Sequence, residues 1–246
     1  MNRFFVPSDS VFDGNVTIKG SDVNHIKNVL RMREGEHLDI VCGMGSEYEC
    51  EIREISSDRI ILTIVKENTC DRELPARIHL FQGLPKSDKL ELIIQKCVEL
   101  GVYEIIPVSM ARSIVKTDPK KASAKLTRYN AISEAAAKQS KRQTVPEVHD
   151  FMGYKEALKY ACGMDMILLP YELAEGMEDT RRAISEIKPG MDVAVFIGPE
   201  GGFDPAEVSA AEEAGAKVIS LGRRILRTET AGLAVMSMIV YQIDRM

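Results

Sequence analysis

Two short stretches of the chain combine residue types that can do chemistry. The first is Ile197-Gly-Pro-Glu-Gly-Gly-Phe203. Three glycines and a proline fix an irregular backbone there, expose N–H groups and admit close approach of a ligand. The second is Leu221-Gly-Arg-Arg-Ile-Leu-Arg-Thr-Glu-Thr-Ala231, which packs three arginines, two hydroxyls and one carboxylate into eleven residues. Each joins a strand to a helix, and in parallel sheets ligands bind beyond the carboxyl ends of the strands. The plainer alternative for each is a tight turn or a helix cap. Elsewhere the absences are informative. The chain has no G-x-x-x-x-G-K-[ST], no G-x-G-x-x-G after a strand, no G-x-S-x-G and no H-E-x-x-H. P-loop NTPases, standard dinucleotide folds, the usual serine hydrolases and zincins are thereby disfavoured. His25, beside Asn24 and Lys27, reads first as a structural histidine, and His37, His79 and His149 carry no further signal.

The elements that must hold those loops can be read from periodicity. The first 70 or so residues are β-rich. His37–Val41, a Gly43-Met-Gly45 turn, the alternating Glu47–Ile55 and the β-branched Arg59–Val65 predict a small barrel. A short helix over Ser21–Leu30, capped by Ser21 or Asp22, precedes them. Thr69–Pro75 reads as a polar linker. Beyond it, strands alternate with helices. Strands are expected at Arg77–Gly83, Glu104–Ser109, Met164–Leu169, Asp192–Ile197 and Lys217–Leu221, with Pro107 hinting at an edge or strand end. Helices are expected after a Ser87 cap, from about Lys121 to Lys141, after Asp204, and from Thr230 to Ile243. Asp204 and Glu207 form a capping box around Pro205, and Gly101 and Gly215 stop their helices. The alternation predicts a mainly parallel α/β sheet. The expected division is a domain over 1–70, a linker over 71–76 and a domain over 77–246. No internal repeat is present.

The chain has 246 residues, 45% hydrophobic and 28% charged, enough for a substantial core and against disorder. No apolar run approaches a membrane span, the first residues do not resemble a secretory signal, and no membrane association is expected. Five cysteines (Cys42, Cys50, Cys70, Cys97, Cys162) form an odd, scattered set without C-x-x-C. That pattern argues against disulfides and a metal site and fits a cytoplasmic protein. Met236 and Met238 read as core filler. The net charge of −5 hides a segregation. Between Ala111 and Gln143 stand Arg112, Lys116, Lys120, Lys121, Lys125, Arg128, Lys138, Lys141 and Arg142 against Asp118 and Glu134. That stretch is +7 and the remainder −12. A local basic segment can hold a polyanion because screening confines the field to about 10 Å; a solvated helix face is the alternative.

The two loops, with Arg3-Phe-Phe5, His25–Arg31, Gln95–Gly101, Ile105–Pro107 and Glu134–Arg142, resemble in order the RsmE family. These are ribosomal RNA small-subunit (uridine-N3) methyltransferases of the SPOUT class, and the likeness covers nearly the whole chain. It implies a PUA-like β-barrel that helps hold RNA, followed by a mainly parallel sheet with helices on both faces and a C-terminal trefoil knot. It implies S-adenosylmethionine as cofactor, held by Leu169, Gly198, Glu200, Gly201, Gly202, Leu221, Gly222, Leu226, Thr228, Thr230 and Ala231. Arg227 is the expected catalytic residue, stabilising a uridine anion, and Glu229 the nearest candidate base, with a helix-start carboxylate as its other role. Arg3, Arg31, Arg112, Lys138, Gln139 and Arg142 are expected to contact RNA. The expected substrate is 16S rRNA, within the 30S subunit, and the expected assembly a homodimer through the knot helices, with no metal. A non-catalytic RNA-binding module and a SPOUT enzyme acting on another RNA are the competing possibilities.

Overall fold

The computed structural model describes residues 2–43, 46–68, 72–114 and 119–244, and the side chains of 119–121 are not among those described. Gly45 of the expected turn, Thr69, Cys70 and Asp71 of the expected linker, and Lys116 and Asp118 of the basic stretch lie outside these residues. The chain divides into two units, residues 1–73 with 141–144, and residues 74–140 with 145–246.

In the first unit, β1 (Arg3–Val6), β2 (Val11–Phe12), β3 (Asn15–Lys19), β4 (His37–Cys42), β5 (Ser46–Ile55) and β6 (Arg59–Asn68) form one curled sheet. Its order is β1-β4-β5-β6-β3-β2, antiparallel except for β1 beside β4. Alternate residues point inward, and Phe4, Ile18, Leu38, Ile40, Cys50, Ile52, Ile60 and Leu62 make the core. Register shifts at Glu49/Cys50 and Ile52/Glu54 interrupt the expected alternation of β5, as bulges do. Helix α1 (Ser21–Asn24) runs into a π-helical turn over His25–Val29. The residue before it is Gly20 at φ 77°, with no side-chain cap. The expected Ser or Asp cap is thus replaced by a glycine turn that both residues follow.

The second unit contains β7 (Arg77–Gly83), α2 (Lys89–Glu99), β8 (Glu104–Ser109), α3 (Pro119–Gln139), β9 (Glu147–Val148), β10 (Met152–Gly153) and α4 (Tyr154–Ala161). It continues with β11 (Met166–Pro170), α5 (Glu178–Ser185), β12 (Asp192–Ile197), α6 (Pro205–Glu213), β13 (Lys217–Ile219) and α7 (Thr228–Ile243). Its sheet is parallel throughout, in the order β10-β8-β7-β12-β11-β13, with β9 also on β8. Phe81, Ile106, Ala194 and Phe196 face α4 and α6, while α2 and α7 pack together on the other side. Pro107 falls in the gap between β9, which pairs with 104–105, and β10, which pairs with 108–109. A strand position without its own N–H is tolerated at such a break. Among the described residues no helix is long and apolar enough to cross a membrane, and no cluster could hold a metal ion.

One helix start departs from the expectation and another meets it. Ser87 does not cap α2: it lies at φ 56°, and Asp88 occupies the cap position without a side-chain bond. Earlier, at the end of β7, the nitrogen of Pro199 would sit 2.6 Å from a Cβ at Gly83. The Asp204 capping box is present as expected, with Ala206 N–H donating to Asp204 Oδ1 and Asp204 N–H to Glu207 Oε2. Its Glu207 also accepts the N–H of Ala111 at 2.8 Å, tying the box to the segment after β8.

At the amino ends of β7, β8 and β12 a polar network is buried. Glu104 accepts from His79 Nδ1, His149 Nε2 and Tyr160 Oη at 2.7, 2.7 and 2.8 Å. Burial pushes its carboxyl up, but these three bonds outweigh that and hold it well below the usual range. His149 is raised by Glu104, and burial raises the Tyr160 phenol to about 12. Glu104 therefore stabilises the fold above its ordinary value of about 4.3, a contribution lost as pH falls. His149 stabilises it below about 6.5, a contribution lost as pH rises through its raised value. Thermal melts across pH 3.5 to 8 are expected to show stability declining on both sides of about pH 4.5 to 6.5 from this network. Glu104→Gln should cost about 2–3 kcal/mol at pH 6 and flatten the acid limb; an unchanged acid limb would refute the assignment.

Candidate functional site

The carboxyl ends of β11 and β12, together with the stretch after β13, enclose a cleft of about 390 Å³, within the range of small-molecule sites. Ile197–Phe203 forms one wall, Leu221–Thr228 with Ala231 the other, and Pro170–Glu172 the end. Both loops singled out in the sequence thus meet. Gly198, Glu200, Gly201, Gly202, Leu221, Gly222, Leu226, Arg227, Thr228 and Ala231 line the cleft. Leu169 lies fully buried one residue before the lining, and Thr230 is exposed outside it. Glu229 does not line it either.

The glycines are needed where the backbone is crowded. Gly202 lies at φ 69°, and a Cβ there would meet Glu172 Oε1 at 2.5 Å. A Cβ on Gly201 would lie 3.0 Å from Arg112 Cβ, and one on Gly198 3.3 Å from the Phe203 ring. Arg112 donates to Gly201 O at 3.1 Å and faces Asp204 at 3.6 Å, so it braces the glycine loop.

Thr228, at the first position of α7, binds the two central strands. Its Oγ1 donates to Gly198 O at 2.6 Å and accepts from Gln82 Nε2 at 2.9 Å. Both Gln82 and Thr228 are buried. Lys89 supplies a second tie. Its Nζ lies 3.1 Å from Glu200 Oε1 and 3.2 Å from Glu229 Oε2. Burial pushes the Glu200 carboxyl up, but the Lys86 N–H at 2.9 Å and the Lys89 ammonium bring it below the ordinary value. The two carboxylates in turn raise Lys89.

The expected RNA contacts are scattered. Arg31 and Gln139 are exposed, and Lys138 pairs with Glu134 at 2.7 Å. Arg3 and Arg142 are only 6% and 4% exposed, inside the first unit. Arg3 pairs with Glu47 and donates to the carbonyls of Lys141 and Arg142 at 2.8 and 3.0 Å. Arg142 pairs with Glu73. Glu47 and Glu73 are both held low by these arginines against the opposing effect of burial. The physical reason for the difference is desolvation: a guanidinium committed to a buried carboxylate is a cross-link rather than a surface cation. Arg128 is likewise paired, with Glu91 at 2.8 Å.

Sequence reasoning missed Tyr171, Glu172, Lys86 and Lys89. The rule that ligands gather at carboxyl strand ends would have found the first two, since they directly follow an expected strand. Nothing local marks Lys89. Thr228→Val keeps the shape of the side chain but leaves Gln82 and the Gly198 carbonyl without this partner. Chemical denaturation should show a loss of about 2–3 kcal/mol; a loss below about 0.5 kcal/mol would mean that Thr228 does not secure the helix start.

Comparison with known proteins agrees with this geometry. Residues 72–240 match the RNA methyltransferase domain and residues 18–65 the RNA methyltransferase PUA domain. The ribosomal RNA small subunit methyltransferase E of Bacillus subtilis is 38% identical, covering 93% of this chain and 90% of its own length. That of Mesomycoplasma hyopneumoniae is 30% identical over 96% and 98% of the two chains. The Neisseria gonorrhoeae ribosomal RNA small subunit methyltransferase E, solved bound to S-adenosyl methionine, superposes with a TM-score of 0.82 at 33% identity, covering 98% and 97%. By sequence and by fold, this chain belongs to the RNA methyltransferase family that includes the ribosomal RNA small subunit methyltransferases E.

Proposed function

We propose that the protein transfers a methyl group from S-adenosylmethionine to N3 of a uridine in 16S rRNA of the small ribosomal subunit. One observation carries the proposal above the rest: a glycine-walled cleft and the guanidinium of Arg227 occupy the same carboxyl end of a parallel sheet. The residues present fit such a cofactor. The volume suits it, and Gly198, Gly201 and Gly202 let backbone groups approach where any Cβ would crowd a neighbour. Leu221, Gly222, Leu226, Thr228 and Ala231 form the facing wall. Leu169 and Thr230 would act from outside the lining, as supports for the β11 end and the α7 start. The bound cofactor supplies a methyl group already activated on a sulfonium.

The chain's own task is orientation, exclusion of competing poses and charge stabilisation. N3 is hidden in a Watson–Crick pair, so the uridine must present an unpaired base. Arg227, exposed on the cleft wall, stabilises the anion formed as the N3 proton leaves for water. Glu229, outside the lining and facing Lys89, is withdrawn from the role of base. Arg31, Arg112, Lys138 and Gln139 are proposed to contact the RNA, while Arg3 and Arg142 shape the first unit. The domain over 1–70 is proposed to hold RNA as a PUA-like module, joined by a linker over 71–76 to the methyltransferase domain over 77–246. The stretch between β13 and α7 is proposed to close a trefoil knot. A homodimer through α7 is supported by its side chains on the face away from the sheet, where Leu233, Ala234 and Met238 are half-buried and Tyr241 is 90% exposed. A cytoplasmic location is proposed with it, since a small-subunit rRNA substrate, within the 30S subunit, would be met there.

The test is methyl transfer from labelled S-adenosylmethionine to 30S subunits and to free rRNA from cells lacking this protein, followed by nucleoside mass spectrometry. Recovery of 3-methyluridine is the expected result; a different methylated nucleoside would overturn the substrate, and absence of transfer to either RNA the reaction. Arg227→Ala should lower kcat by roughly 10²-fold with cofactor affinity little changed.

A further inference from the structure

Lys89 is at the start of α2, outside the cleft, yet its single ammonium reaches groups on two separate elements. Glu200 belongs to the glycine loop after β12, and Glu229 to the first turn of α7, which carries the other wall. Glu229 Oε2 is a buried atom with no hydrogen-bond partner besides this ion-pair contact, among the described residues. Glu200 is additionally held by the Lys86 N–H. The turn that delivers both lysines is itself constrained. Gly83 abuts Pro199, and Ser87 takes the left-handed conformation just before the helix.

We propose that Lys89 is a positioning residue that sets the spacing of the cofactor cleft by tying Glu200 of one wall to Glu229 under the other. The inference rests on the cofactor reading given above. A shared cation joins the walls only while it neutralises both carboxylates. Without it, one carboxylate oxygen stays buried and uncompensated, and the two like charges separate by moving the loop, the helix start or both. The side chain acts through Glu200 and Glu229 and touches neither cofactor nor substrate, so its removal is felt first as weaker cofactor binding.

The charge balance makes this testable apart from general damage. Titration calorimetry of S-adenosylmethionine against wild type, Lys89→Met, Glu229→Gln and the double variant measures the coupling. Lys89→Met should weaken binding about 10-fold in the wild-type background but only about 2- to 3-fold in the Glu229→Gln background. Affinity for an rRNA fragment should stay at the wild-type value in all four. A merely structural lysine would give additive losses, because neutralising Glu229 would then rescue nothing. Additivity, or a Lys89→Met chain that binds as wild type does, would overturn the proposal. If wild type itself fails to bind, the cofactor reading falls, and this inference with it. Should Lys89→Met not fold, the pair Glu200→Gln and Glu229→Gln carries the same test, since two carboxylates sharing one cation must couple and independent ones must add.

Discussion

The site depends on one short chain of hydrogen bonds: Gln82 to Thr228, and Thr228 to the carbonyl of Gly198. It joins the carboxyl ends of β7 and β12 to the first residue of α7, across 146 residues in sequence on the Gln82 side and 30 on the Gly198 side. Gln82 and Thr228 are buried, so breaking the bond between them leaves a polar group without water to replace its partner. The cleft is the space left between the glycine loop and the stretch leading to α7, and Thr228 ties those two walls together. Crowding completes the arrangement. Gly202 against Glu172 on the cleft wall, and Gly83, outside the lining, against Pro199, leave no room for side chains.

Charge in this protein is organised by burial more than by count. Four of the described basic side chains in the stretch that suggests a polyanion surface are engaged within the protein. Arg112 braces the glycine loop, Arg128 meets Glu91, Lys138 meets Glu134 and Arg142 is held by Glu73. A buried arginine paired with a carboxylate adds nothing to a surface field, whatever its place in a count of charges. The same logic places Glu104 ionised in a buried setting, because two histidines and a tyrosine converge on it. The polar network and the cleft are at opposite ends of the parallel strands, so stability chemistry and ligand chemistry are kept apart along one sheet.

The sequence by itself determined the alternation of strands and helices beyond residue 77, the capping box at Asp204 and the two loops that form the cleft. These are legible because the signals are local: a strand's apolar run, a cap's spacing, a glycine's need for room. Helices α4 and α5, with eight residues each, and the two-residue strands β9 and β10 were not legible, since their signals are too short to stand out from their surroundings. The cap of α2 was misplaced because Ser87 takes the left-handed conformation, which no local signal announces, and leaves the cap position to Asp88. Only the tertiary structure decided which charges are available. It buried Arg3 and Arg142, removed Glu229 from the cleft lining, and brought Lys89 between two carboxylates that nothing nearby in the chain announces. Side-chain chemistry is written residue by residue, but desolvation and pairing are properties of where the fold puts those residues.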